Sequence, residues 1–323
     1  MTSRTARSVP KNSTNVRTQE AALGALRFGL RAARAVSPSL ATAYAERVFL
    51  TARRHTRPAW ERTILDDAVP FRVPLRAGWL PAWSWGEARG EGKTVLLVHG
   101  WEGRGSQLGT FVAPLVTQGY RVVTFDGPGH GDAPSRRASI VDHAAAVWAM
   151  RHAEGKFASI VAHSVGCAST ILASEREPLA DRYVFVASPL DPTAFMRTFS
   201  RVLGLDPLLQ DRLTARLEAR FGMHMTDLDV RRVAPKMEVP ALVVHDRDDA
   251  EVPLACGETL ASLWPESRLH VTTGLGHRRI LRSPDVAKVV LDFVAEGRPV
   301  SDDGRNWLDR DLYDRDRRWR QSA

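Results

Sequence analysis

Ser159-Ile160-Val161-Ala162-His163-Ser164-Val165-Gly166-Cys167 is the stretch on which the reading of this chain turns. It opens as an apolar, β-branched run, the composition of a strand buried on both faces of a parallel sheet. It turns at small residues and continues as Ala168-Ser169-Thr170-Ile171-Leu172-Ala173-Ser174, which can start a helix. A strand, a tight turn with a serine at its tip and then a helix form the setting of a nucleophilic serine, usually written G-x-S-x-G. Ala162 stands here for the first glycine. The small residues have a steric purpose: the turn is so sharp that strand and helix backbones nearly touch. Such a serine is a poor nucleophile alone. It needs a base, and the base needs an orienting acid.

The flanking sequence supplies a framework. Thr94 to Val98, Arg121 to Phe125, Tyr183 to Val186, Ala241 to Val244 and Leu269 to Val271 are further apolar runs. Helical patterns separate several of them, including Ile140 to His152 and Asp285 to Glu296. Buried strands alternating with helices imply an α/β fold with a mainly parallel sheet and helices on both faces. Before them, Phe71, Val73 and Leu75 alternate with polar or turn residues. A turn at Ala77-Gly78 leads to Leu80, Ala82 and Ser84, predicting an antiparallel edge, and 88–92 reads as a Gly-containing connection.

Two stretches after Ser164 could complete the chemistry, each just past a strand. One is His245-Asp246-Arg247-Asp248-Asp249-Ala250-Glu251-Val252-Pro253; the other is Gly274-Leu275-Gly276-His277. Catalytic groups gather at the carboxyl ends of parallel strands, where all these residues are expected. Any of Asp246, Asp248 and Asp249 could serve as the acid by position alone.

Taken together, Val98-His99-Gly100-Trp101, Phe125-Asp126-Gly127-Pro128-Gly129-His130-Gly131, the Ser164 turn, Asp249-Ala250-Glu251-Val252-Pro253 and Gly276-His277 resemble the α/β-hydrolase superfamily over roughly residues 71–293. The resemblance implies an α/β-hydrolase fold with a small helical lid. It implies Ser164 as nucleophile, His277 as base and, from D-x-x-V-P, Asp249 as acid, with Asp246 and Asp248 as alternatives. It further implies an oxyanion hole from the amides of Trp101 and Val165. The activity implied is a serine hydrolase acting on a small-molecule carboxylic ester or related acyl compound, with no cofactor and no metal. Acyl transfer and thioester hydrolysis use the same parts, and a non-catalytic hydrolase-like binding protein is the contrasting class. His99 is expected to order the oxyanion loop, and Asp126 and His130 to tie down a loop. His163 is expected to pack or line the pocket, with its side chain directed away from the base.

The 323 residues carry a formal net charge of +8, almost all of it arginine. The arginines are scattered and no aromatic-interleaved basic motif occurs, so no nucleic-acid partner is expected. Cys167 and Cys256 form no C-x-x-C pair, which argues against a zinc site and a disulfide framework. No secretory pattern or membrane-spanning run is visible, making the cytoplasm the default location. Residues 1–17 read as a disordered tail and 18–65 as a helical extension. The core falls at 66–187 and 236–300, the lid at 188–235 and a charged tail at 301–323. Leu23, Leu26, Leu30 and Ala33 make an apolar stripe in the extension. The expectation is that it packs on the hydrolase domain and does not hold the protein on a membrane. Arg197, Arg201, Arg212, Arg216 and Arg220 in the lid are expected to form a solvated face.

Overall fold

The computed structural model describes residues 13–76, 78–87 and 93–296, with side chains from Glu20 onward. The described residues divide into two compact units, one from 13–51 together with Pro192–Asp227, the other from Ala52–Asp191 and 228–296. Residues 1–12, Ala77, the 88–92 connection and the expected 301–323 tail lie outside the described residues.

The larger unit is built on an eight-stranded sheet. Its elements are α3 (Ala59–Asp66), β1 (Val69–Leu75), β2 (Gly78–Trp85), β3 (Thr94–Val98), α4 (Val112–Thr117), β4 (Arg121–Phe125), α5 (Ile140–Glu154), β5 (Ser159–His163), α6 (Val165–Ala173), β6 (Tyr183–Val186), β7 (Ala241–Asp246), α9 (Leu254–Leu263), β8 (Ser267–Thr272), α10 (Gly276–Arg279) and α11 (Pro284–Ala295). The strand order is β1-β2-β4-β3-β5-β6-β7-β8. Strands β4 to β8 and β3 run parallel, while β1 and β2 form the antiparallel edge, with Phe71 opposite Ala82 and Ala82 opposite Phe125. This is the α/β-hydrolase architecture expected from the motifs.

The apolar runs follow from burial on both sides. Leu96, Val98, Ile160, Ala162 and Phe185 enter one core cluster, together with Val147, Ile171 and Trp264. Their strand neighbours Val95, Leu97, Val161, Val184 and Val186 enter a second cluster with Leu115, Val290 and Phe293. Side chains alternate across a strand, so a strand covered on both faces has no polar position to spare. Strand order reverses between β3 and β5. This reversal point is where crevices open at the carboxyl ends of an α/β sheet, and β5 ends there at His163-Ser164.

The smaller unit holds α1 (Ser13–Val36), α2 (Pro38–Phe49), α7 (Pro192–Leu203) and α8 (Pro207–Phe221). Ser37 separates α1 from α2; its hydroxyl accepts the Leu40 amide at 3.1 Å and Pro38 opens the new helix. Leu30 and Ala33 are buried, as are Leu209, Leu213 and Leu217. Glu46 is also buried and is held by Arg216 and Arg220, each at 2.7 Å. Burial would raise the Glu46 carboxyl, but the two guanidiniums hold it below the ordinary range. These two arginines are thus ion-pair partners rather than part of a solvated face.

Three expected boundaries move. The tail gives way to helix at Ser13, five residues before the expected start of the extension. The 18–65 extension is divided: α1 and α2 group with α7 and α8, and everything from Ala52, including α3, belongs to the sheet unit. The stretch 188–235 is divided too, because Val230, Val233 and Ala234 pack into the sheet's core. Among the described residues, no helix is long and apolar enough to cross a membrane.

The β5–α6 turn depends on the lack of a side chain at Gly166. A Cβ there would lie 2.4 Å from the His99 carbonyl oxygen and 2.8 Å from that of Val98. Gly166→Ala is therefore expected to cost about 1–3 kcal/mol or more. Gly24 in α1 faces open space, so Gly24→Ala should stabilise by about 0.5–1 kcal/mol. Urea unfolding of the two variants beside the parent checks both signs.

Candidate active site

Ser164 sits between β5 and α6 with φ +53° and ψ −126°, a backbone conformation that few residues with a Cβ adopt. Its amide donates to the Val186 carbonyl at 2.9 Å and its carbonyl accepts from the Cys167 amide at 2.8 Å. The hydroxyl is thereby fixed at the tip of the turn. Val165 is the first residue of α6, where amides have no acceptor within the helix. Gly100 follows β3, and a Cβ on it would approach Ser164 Cβ to 2.9 Å. The His99–Trp101 loop thus runs directly against the serine.

His277 Nε2 lies 3.0 Å from Ser164 Oγ, and its Nδ1 lies 2.7 Å from Asp249 Oδ2. All three side chains are buried. The other Asp249 oxygen accepts the amides of Glu251 and Val252, both at 2.8 Å. Burial would raise the Asp249 carboxyl, but the His277 hydrogen bond and these amides keep it below 3.8. It is therefore an anion at neutral pH, facing the ring nitrogen that must carry a proton.

The neighbouring aspartates do different work. Asp246 accepts the Thr272 hydroxyl at 2.6 Å, the Gly276 amide at 2.9 Å and the Leu275 amide at 3.1 Å. Asp248 accepts the Gly274 amide at 2.8 Å. Both shape the loop that presents His277, and the hydrogen bond to the ring belongs to Asp249. The sequence left these three open because they stand within four residues on one loop.

His163 departs from its expected orientation. Its Nε2 donates to the His277 backbone carbonyl at 2.9 Å, and the two rings lie 4.8 Å apart. Burial first, and the nearby His277 second, push the His163 imidazole down to about 3. It is a neutral donor that holds the main chain of His277. Its sequence position beside Ser164 gave no sign of this, because the contact spans 114 residues. His245 plays a similar part across the acid loop, donating Nε2–H to the Val252 carbonyl at 2.9 Å.

Behind the loop that follows β3, three more histidines are buried. His99 donates Nδ1–H to the Gly100 carbonyl at 2.8 Å, while its Nε2 accepts the Gly127 amide at 2.9 Å. His130 donates to the Pro128 carbonyl and packs its ring 5.2 Å from that of Trp101. His143 meets the Ser169 hydroxyl at 2.8 Å. Burial is the leading cause of lowered basicity in each: His99 falls to about 4, His130 to about 3, and His143 well below 6.5. Asp126 accepts the Gly105 and Asp132 amides and pairs with Arg57 at 2.5 Å. Among the described residues, no group of three His, Cys, Asp or Glu side chains is arranged to hold a metal ion.

The sequence profile described as the alpha/beta hydrolase family matches residues 95–289. A pimeloyl-[acyl-carrier protein] methyl ester esterase of Aromatoleum aromaticum is 24% identical over 248 residues, covering 63% of this chain and 98% of that protein. A bacterial membrane phospholipase A aligns in structure with a TM-score of 0.56 and 18% identity, over 73% of this chain and 89% of that one. An enol-lactonase from Burkholderia xenovorans LB400 aligns with a TM-score of 0.53 and 18% identity, over 70% of this chain and all of that one. At these identities the two structures show a shared fold.

The buried neutral histidines make stability depend on pH. His99, His130, His143 and His163 all accept protons less readily folded than at their ordinary value of 6.5. Between pH 6.5 and about 4, the unfolded chain therefore binds more protons. The stability is present above pH 6.5 and is lost as pH falls, with a slope of up to about 1.4 kcal/mol per pH unit for each ring. Asp249 adds a loss only below 3.8. Urea midpoints at pH 7, 6 and 5 should fall steeply, and His143→Gln should flatten the fall.

Proposed function

The chain belongs to the alpha/beta hydrolase family, and from that membership we propose that it hydrolyses a carboxylic ester or related acyl compound through an acyl-enzyme on Ser164. The observation that carries this reading is the relay from Ser164 Oγ through His277 to Asp249, with contacts of 3.0 and 2.7 Å. The esterase, phospholipase and lactonase it resembles are named for substrates with an acyl–oxygen bond, and we carry that bond type over to this chain.

In the proposed reaction Asp249 holds the proton of His277 on Nδ1, which leaves Nε2 free to accept. The Ser164 hydroxyl attacks the carbonyl carbon while His277 takes its proton. Charge develops on the carbonyl oxygen, and the Trp101 and Val165 amides donate to it. Losing one such donor typically costs about 10²–10³ in rate. His277 then protonates the departing alcohol as the acyl–oxygen bond breaks. Water attacks the acyl-enzyme with His277 again as base, releasing the acid and restoring Ser164. The neutral ring of His163 steadies the base without competing for its proton.

A fluorophosphonate probe and a series of p-nitrophenyl esters of increasing chain length test the reading. The parent should label and turn over at least one ester, and Ser164→Ala should do neither while remaining folded. A binding protein of the same fold would leave Ser164 unlabelled. Asp249→Asn should lower kcat by several orders of magnitude, about 10⁴ in a comparable triad. Asp246→Asn should act mainly through the His277 loop and lose less. Undiminished turnover by Ser164→Ala at matched purity contradicts the mechanism.

A further inference from the structure

The Trp101 amide can serve Ser164 only if the loop after β3 is held still. Gly103 N–H closes a turn on the Gly100 carbonyl at 3.1 Å, with Trp101 and Glu102 at its tip. Glu102 has φ +56°, the left-handed region that disfavours a residue with a Cβ. Something outside the turn must therefore keep it there.

That support comes from residues 53–61, which run from beyond α2 into the first turn of α3 and carry no motif. The Glu102 carboxylate accepts the Arg53 amide at 3.3 Å, lies 3.7 Å from the Arg53 guanidinium and 3.6 Å from His55 Nε2. Two residues on, Arg104 is only 5% exposed. Its guanidinium forks onto both oxygens of buried Glu61 and donates to the His55 carbonyl at 3.1 Å. Ser106 donates to Glu61 at 2.6 Å and accepts from Arg57 at 3.1 Å, while Arg57 reaches Asp126. The segment thus grips the loop on both sides of Gly103. A buried bidentate Arg–carboxylate pair fixes position and angle together, and breaking one partner leaves an uncompensated charge.

We propose that residues 53–61 act as a positioning strap for the oxyanion loop. Through Glu102 and Arg104 they set where the Trp101 amide meets the charge developing at Ser164. This rests on the reading of Ser164 as nucleophile and Trp101 as donor given above. Glu102, Arg104 and Glu61 are positioning residues in this scheme, since none touches the reacting atoms. A clamp that served stability alone would lower the folded fraction and leave each folded molecule equally active. A positioning strap alters the rate per active molecule, because a donor displaced by about 1 Å can cost as much as ~10²-fold.

The test uses the full chain with Glu102→Ala and Glu61→Gln, counting active sites by exhaustive fluorophosphonate labelling. Glu102 has a side chain 26% exposed, so its variant decides the matter if Glu61→Gln does not fold. The expected result is a fall of at least about tenfold in kcat per labelled site with KM changed less than about threefold. Affinity for a trifluoromethyl ketone, which forms an oxyanion on Ser164, should fall by the same factor as kcat/KM. Folded Glu102→Ala with parental kcat per site, or with only KM raised, would overturn the proposal. Ser164→Ala is assayed alongside. Turnover surviving in Ser164→Ala would defeat the acyl-enzyme reading itself, whereas its loss together with normal strap variants would defeat the strap alone.

Discussion

The approach of two backbones at Gly100 and Gly166 is the constraint around which the rest of the fold is fitted. Strand β3 ends against the start of α6, with room on neither glycine for a Cβ. Ser164 lies between them and must adopt positive φ to connect its strand to its helix. Such a conformation persists only where its surroundings over-determine it. Here they do so through the Val186 carbonyl on one side and the tight helix turn at Cys167 on the other. The parallel sheet, with the apolar cover on both faces, is the rigid body that makes this local strain sustainable.

The polar interior around that point is organised by charge state. Every buried histidine with a lowered pKa is neutral at ordinary pH, so each contributes one donor and one acceptor and no net charge. Ionised carboxylates are held where backbone amides or guanidiniums surround them: Asp249 and Asp246 by loop amides, Glu46 by two arginines. Of these ionised carboxylates, Asp249 is the one hydrogen-bonded to the His277 ring. A second charged group close to His277 would compete with it for the ring's proton.

Much of this was legible in the residues. The doubly covered strands announced themselves as uninterrupted apolar runs, and β1 and β2 as alternating ones, because burial on one face or two dictates hydrophobic period. Ser164, Asp249 and His277 fall within motifs whose spacing reflects local turn geometry, and the structure brings their side chains together. What could not be read was long-range and polar. His163 bonds to the main chain of His277, Arg104 pairs with Glu61, and Arg216 with Glu46. Each joins residues far apart in sequence, and a polar side chain reads the same in sequence whether it meets water or a buried partner. The division of α1 and α2 from α3 was hidden for the same reason. All three are helical patterns in one continuous stretch, and only tertiary partners tell them apart.

The helical unit is assembled from two chain segments with 140 residues, 52 to 191, between them. A ribosome delivers α1 and α2 first, and their partners α7 and α8 only after most of the sheet has been made. Until then Glu46 keeps its hydration, because Arg216 and Arg220 do not yet exist. Closing a segment of that length carries an entropic cost that grows only slowly with length, and a folded sheet between the ends removes much of it. Synthesis order therefore lets the helical unit close only after β6 has been made and before β7 and β8 have, with α1 and α2 waiting as a basic nascent helix pair until α7 and α8 emerge.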